Sequence, residues 1–171
     1  MKIPNNVEFE NHCEEILRAT LLSVLPEEGC ALLLGNQKKK KEKPEEIFYQ
    51  ISLIWPCCNI WKPGIENFPE SNNLSNREKC IPSRNNRFAI DPKEQLLAQK
   101  WARRKSLVVL GNAHSHPSNL SIPSKSDIAW HFSTSLMLIV SKNGDLRAWW
   151  IKNTQKKEPV EIPCKYQTQN L

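Results

Sequence analysis

His114 and His116 stand two residues apart, and in an extended chain, where successive side chains alternate in direction, both imidazoles leave the same face. Two neighbouring imidazoles suit a divalent transition metal. Asp127 follows eleven residues after His116 and adds a hard carboxylate oxygen, three residues after Ser124. A His, His and Asp set leaves the fourth tetrahedral position to water, the pattern of a catalytic rather than a structural zinc site. Ser124-x-x-Asp127 is also what a helix start asks for, with the serine covering orphan amide protons and the aspartate favoured by the helix dipole. The two readings are compatible, because a cap holds the carboxylate still. Water at such a site needs a base, and Glu27 and Glu28 supply candidates just before a strand. Strand alternation sends them to opposite faces, so one alone points inward, and the residue pattern leaves open which.

The elements that must carry these residues follow from periodicity. Phe9, Cys13, Ile16, Leu17, Leu21 and Val24 recur at helical spacing, and Pro26 ends that amphipathic helix. Cys30 to Leu34, closed by Gly35, and Ile47 to Trp55 read as strands joined by a connection from Asn36 to Glu46. That connection holds Lys38 to Lys41 and Lys43, read as a solvated loop in preference to a patch that docks a partner. Trp55 to Arg87 has no period, four prolines and seven asparagines, and is expected to be an irregular insertion. Asp91-Pro92 starts a helix whose face carries Ile90, Leu97 and Trp101. Leu107 to Leu110 is a buried strand leading into Asn112 to Pro117; Ser124 begins another helix. Leu136 to Ser141 and Leu146 to Ile151 form a hairpin across Asn143-Gly144. This order implies an α/β layer fold around a mixed sheet.

Composition bounds the rest. At 171 residues the chain reads as one domain, 1–171, with the insertion at 55–87. The longest apolar runs fall far short of the ~18 residues that span a bilayer, so no membrane partner is expected. Met1 to Glu10 has no signal-peptide character, which places the expected location in the cytoplasm. Six cysteines include no C-x-x-C pair and are expected to be thiols. A net charge of +6 raises nucleic-acid binding as a class, but the basic residues are dispersed and no nucleic-acid motif accompanies them.

His114-Ser115-His116-Pro117, six residues, then Ser124-x-x-Asp127 resembles the signature of the JAMM (MPN+) metalloprotease family in its short prokaryotic form. Pro26 to Gly35 is similar to that family's first-strand motif, in which the catalytic glutamate stands two residues before a cysteine. Arg87 to Pro92 resembles the family's lead into its second helix. The resemblance implies a cytidine-deaminase-like (JAB1/MPN) sandwich, a mixed β-sheet flanked by helices. It also implies a zinc peptidase or isopeptidase acting at the C-terminus of ubiquitin-like proteins, with sulfur-carrier proteins the favoured substrates. His114, His116 and Asp127 would then hold Zn²⁺, Glu28 would be the base, and Ser124 would donate to the oxyanion. Ala31 stands where the family usually has glycine, and the 55–87 insertion is longer than the family leads one to expect.

The competing class is a metal-free MPN-type scaffold that binds proteins. Such scaffolds typically lose one or more of these five residues, and all five are present. A zinc nucleoside deaminase would need His-x-Glu and Cys-x-x-Cys ligands that this sequence lacks. His131, four residues after Asp127, is a lesser candidate for a fourth ligand, and Trp149 and Trp150 read as packing residues.

Overall fold

The computed structural model describes residues 2–65, 81–129, 135–152 and 158–165. In chain order the elements are β1 (Asn6–Phe9), α1 (Cys13–Leu22), β2 (Cys30–Lys39), β3 (Ile47–Cys57), α2 (Pro92–Arg104) and β4 (Val108–His116). They continue with α3 (Lys125–Ala129), β5 (Ser135–Ser141), β6 (Leu146–Ile151), β7 (Pro159–Ile162) and β8 (Cys164–Lys165). The strands among the described residues form one mixed sheet in the order β7-β6-β5-β4-β2-β3-β1-β8. β4 pairs β5 in parallel, as β1 does β3 and β8, whereas β2 runs antiparallel to both β3 and β4. The α/β layer with helices flanking a mixed sheet is therefore present.

Each face of the sheet has its own core. Cys13, Leu17 and Leu21 of α1, at i, i+4 and i+8, pack on Ala31, Leu33, Ala113 and Leu138, the odd-even set on one side of β2, β4 and β5. The opposite set, Cys30, Leu32 and Leu34, packs on Ala98 and Ala102 of α2. Because the two central strands are covered on both sides, β2 reads as a continuous apolar run instead of alternating.

Several boundaries differ from those the periodicity suggests. Phe9 belongs to β1, where Val7 and Phe9 are buried. The chain then turns through Asn11 and His12, both in the left-handed region, so the helix starts only at Cys13. Ile16 and Val24 are about half exposed, because a three-residue stripe already fills the space over the sheet. β2 and β3 run on to Lys39 and from Ile47, which shortens the expected connection. At its tip Lys40 and Lys43 both pair with Glu46. On α2 Ala98 and Ala102 face the sheet, with Ile90 and Trp101 packed in the same cluster as expected, but Leu97 is 54% exposed, since close approach of helix to sheet favours small side chains there. β7 and β8 carry too few residues to leave a period and escaped the sequence reading altogether.

No helix among the described residues is long and apolar enough to cross a membrane. Cys13, Cys30, Cys57, Cys58 and Cys164 are free thiols. Trp150 is fully buried edge-on to Tyr49, and the Trp149 indole donates to the Ser121 carbonyl at 2.9 Å, so both act as packing residues. Of the expected 55–87 insertion, residues 55–57 continue β3, and 66–80 lie outside the described residues, as does His131.

Candidate metal centre

β4 delivers both histidines. Extended backbone through His116 puts the two imidazoles on one face with their Nε2 atoms 3.0 Å apart. The Asp127 carboxylate meets them, Oδ1 at 3.6 Å from His114 Nε2 and Oδ2 at 3.3 Å from His116 Nε2. Two ligand atoms each about 2.0–2.1 Å from a tetrahedral zinc are separated by roughly 3.3 Å. The three separations bracket that value, so the donor set and its spacing fit a zinc ion. Asp127 is carried on the first turn of α3, where the Ser124 amide donates to its Oδ2 at 2.6 Å and its own amide donates to Ser124 Oγ at 3.2 Å. This reciprocal pairing is a capping box in which aspartate replaces the usual glutamate. It leaves the Ser124 hydroxyl proton free to donate elsewhere.

Neighbours set the histidine rings. His116 Nδ1 lies 2.9 Å from the Leu120 carbonyl, which takes the ring proton and leaves Nε2 as the free lone pair. His114 is fully buried and stacks on Phe88, with ring centroids 4.4 Å apart and planes within 22°. Burial works against ionisation of Asp127, yet the His114 charge and hydrogen bonds from His114, His116 and Ser124 hold its carboxyl well below the usual range. For His116 burial likewise opposes the charged form, but the hydrogen bond and charge of Asp127, with the Glu28 charge and the Leu120 carbonyl, together outweigh it and raise the imidazole.

The two adjacent glutamates part company. Glu28 is 5% exposed and close enough to His114, His116 and Asp127 to interact with each electrostatically. Its Oε2 is buried without a hydrogen-bond partner. Burial raises its carboxyl, with the two histidines pulling the other way. A carboxylate oxygen left bare beside two imidazoles is placed to face a water or an ion. Glu27 instead turns outward to Arg84 at 3.7 Å, with its side chain 44% exposed.

Backbone contacts pin Glu28. Its amide donates to the Arg84 carbonyl at 2.7 Å, and its carbonyl accepts from Asn59 Nδ2 at 3.0 Å. Asn59 also donates to the Arg87 carbonyl and accepts from the Trp61 and Ala89 amides, so both described ends of the irregular segment converge on the glutamate. Gly29 follows, and a Cβ there would sit 2.4 Å from the Leu21 carbonyl oxygen at the end of α1. Ser115, between the two histidines, points to the other face and donates to that same carbonyl at 3.0 Å. Asn59, Phe88 and Ser115 had no role in the sequence reading. Only the place of Ser115 inside the His-Ser-His string could have signalled one; Asn59 is one asparagine among seven in an aperiodic stretch.

Comparison with known proteins places this geometry in context. Residues 10–152 match the family model described as prokaryotic homologs of the JAB domain. The desampylase of Pyrococcus furiosus is 34% identical over 79 residues, which are 44% of this chain and 54% of that protein. The chain thus spans about half the length of that curated relative. A solution structure of a Desulfitobacterium hafniense protein covers 95% of each chain with a TM-score of 0.65 at 24% identity. One from Salinibacter ruber covers 92% of this chain and 91% of its own with a TM-score of 0.55 at 19% identity. Both share the fold.

Proposed function

This chain belongs to the family of prokaryotic homologs of the JAB domain, and from that premise we propose that it is a zinc-dependent peptidase or isopeptidase. The bond it cuts lies at the C-terminus of a ubiquitin-like protein, with a sulfur-carrier protein the favoured substrate. The observation that carries this reading is the convergence of His114 Nε2, His116 Nε2 and an Asp127 oxygen within 4.8 Å, beside the unpartnered Glu28 Oε2. The desampylase likeness supports the substrate class.

His114, His116 and Asp127 would hold the ion. Zinc in such a site supplies Lewis acidity that makes water nucleophilic near neutral pH. Glu28 Oε2 takes the proton that the attacking water gives up, then passes it to the departing amine. The burial that raises the Glu28 carboxyl brings its proton affinity closer to that of its task than an exposed glutamate would be. Ser124, its oxygen already engaged by the Asp127 amide, donates its hydroxyl proton to the carbonyl oxygen as charge builds there. Pinning of the Glu28 backbone from both sides keeps the base at a constant distance from the ligands, so little reorganisation is needed during proton transfer.

The test pairs metal content with turnover. Protein purified without chelators should carry about one zinc per chain. It should release a sulfur-carrier protein from a lysine conjugate, read by intact mass, and should stop doing so after zinc removal. Zinc-loaded protein that binds the carrier without cleaving its conjugate, or protein that binds the carrier but takes up no zinc, would replace the hydrolase with a binding scaffold.

A further inference from the structure

A groove of about 450 Å³ opens beside the candidate metal centre, ending at Asp127. Its floor is the sheet itself, with Leu32, Asn112 and Met137 side by side on β2, β4 and β5. Phe88, the ring stacked on His114, forms a wall, and Gln95 and Gln99, one turn apart on α2, form the rim. Asn112 stands two residues before His114 on β4, so its side chain leaves the same face as the two histidines. Glu28 is at the other end of this row, because β2 runs antiparallel with Leu32 against Asn112 and Cys30 against His114.

One feature of this floor has no internal explanation. The Asn112 Oδ1 atom is buried and has no hydrogen-bond partner. A buried acceptor without a donor costs free energy unless something arrives to satisfy it. Strand positions like this one, flanked by Leu32 and Met137, ordinarily carry apolar side chains. A trough with apolar Leu32 and Met137 on its floor, a lone acceptor between them, and the Gln95 and Gln99 amides and Arg87 also lining it suits an extended peptide, whose backbone N–H groups recur along one edge.

We propose that Asn112 is a specificity-determining residue, its side-chain carbonyl accepting a hydrogen bond from one backbone N–H of an extended substrate segment that lies in this groove on the side of the metal ligands away from Glu28. The inference rests on the peptidase reading and deepens it. The Asn112 contact sets the register of the peptide, and the register decides which carbonyl reaches the ligands. A side chain bulky enough to lift the segment off the floor would break the contact, so the subsite favours small residues opposite Asn112.

The test is binding to the zinc-free protein, followed by fluorescence polarisation. The probe is a labelled synthetic peptide carrying the C-terminal residues of the ubiquitin-like carrier from the same genome. Asn112→Ala should weaken binding by about three- to tenfold, the range for one hydrogen bond. Asn112→Val, which keeps a strand-favouring side chain, should do the same. In a set of peptides each N-methylated at one backbone position, one member should lose affinity for the wild type and none for Asn112→Ala. Neither variant should lower the melting temperature, because Oδ1 has no partner to lose in the free protein; a purely structural Asn112 would show the opposite. Unchanged peptide affinity in both variants, or no N-methyl position that distinguishes them from wild type, overturns the proposal. Asn112-dependent binding without zinc-dependent cleavage would keep the subsite and remove the hydrolase. Cleavage by Asn112→Ala at the wild-type kcat/KM would keep the hydrolase and remove the subsite.

Discussion

Gly29 and Ser115 exchange two hydrogen bonds across β2 and β4, the Gly29 amide donating to Ser115 Oγ at 2.8 Å and the Ser115 amide donating to the Gly29 carbonyl at 2.9 Å. Glu28 precedes the glycine, and His114 and His116 flank the serine. One short clamp therefore fixes Glu28 relative to both imidazoles, and the third bond of Ser115, to Leu21, ties the clamp to the end of α1.

Ser115→Ala should destabilise the protein by about 1–3 kcal/mol, because it leaves a buried amide and a buried carbonyl without partners. Chemical denaturation measures the loss. Turnover should fall with zinc content unchanged, since none of the ligands is touched.

Glu28→Gln should keep the fold and the zinc and reduce turnover by about 10² to 10⁴-fold, the usual contribution of a positioned base. Glu27→Gln removes only an exposed pairing with Arg84 and should stay near wild type. Side-by-side kinetics with metal analysis check this. A dead Glu27→Gln beside an active Glu28→Gln would put the base one residue earlier.

The same glutamate carries a stability signature in the zinc-free protein. Burial raises its carboxyl above the ordinary 4.5, so the folded state binds the proton more tightly than the unfolded chain. Its contribution to stability is then full below that value and declines as pH rises through the raised native one. Zinc-free Glu28→Gln should match wild type in strongly acidic buffer and become the more stable protein toward neutrality. Melting curves across pH would show the two lines diverging; parallel lines would contradict the burial.

His116→Ala should abolish most zinc binding, and zinc should raise the melting temperature of wild type but not of this variant, since only a folded site gains from a ligand. A variant that retains one zinc per chain would show that the ion sits elsewhere.

Ser124→Ala should lower turnover by about 10²- to 10³-fold if its hydroxyl meets the oxyanion. The cap it also provides is worth about 0.5–2 kcal/mol, so a modest fall in stability should accompany the effect. An unchanged rate with only the stability loss would leave Ser124 as a cap.

The sequence by itself determined the candidate ligand set and the layer class. His114 and His116 are two residues apart, and Ser124 and Asp127 three; such short spacings translate into direction once strand and helix are known, because each period fixes where a side chain points. Tertiary structure decided what no local period encodes. Which of Glu27 and Glu28 faces inward depends on how β2 registers against β4, and that pairing joins residues 86 apart. Asn59 reaches Glu28 through the folded ends of an aperiodic stretch, where no spacing announces a partner. The exposure of Leu97 in place of Ala98 follows from how closely α2 approaches the sheet, a packing distance invisible to hydrophobicity alone. Likewise the Asn112 carbonyl is left unmet where strand pairing sets Asn112 between Leu32 and Met137 on the groove floor, since a polar side chain becomes costly through burial and not through its place in the chain.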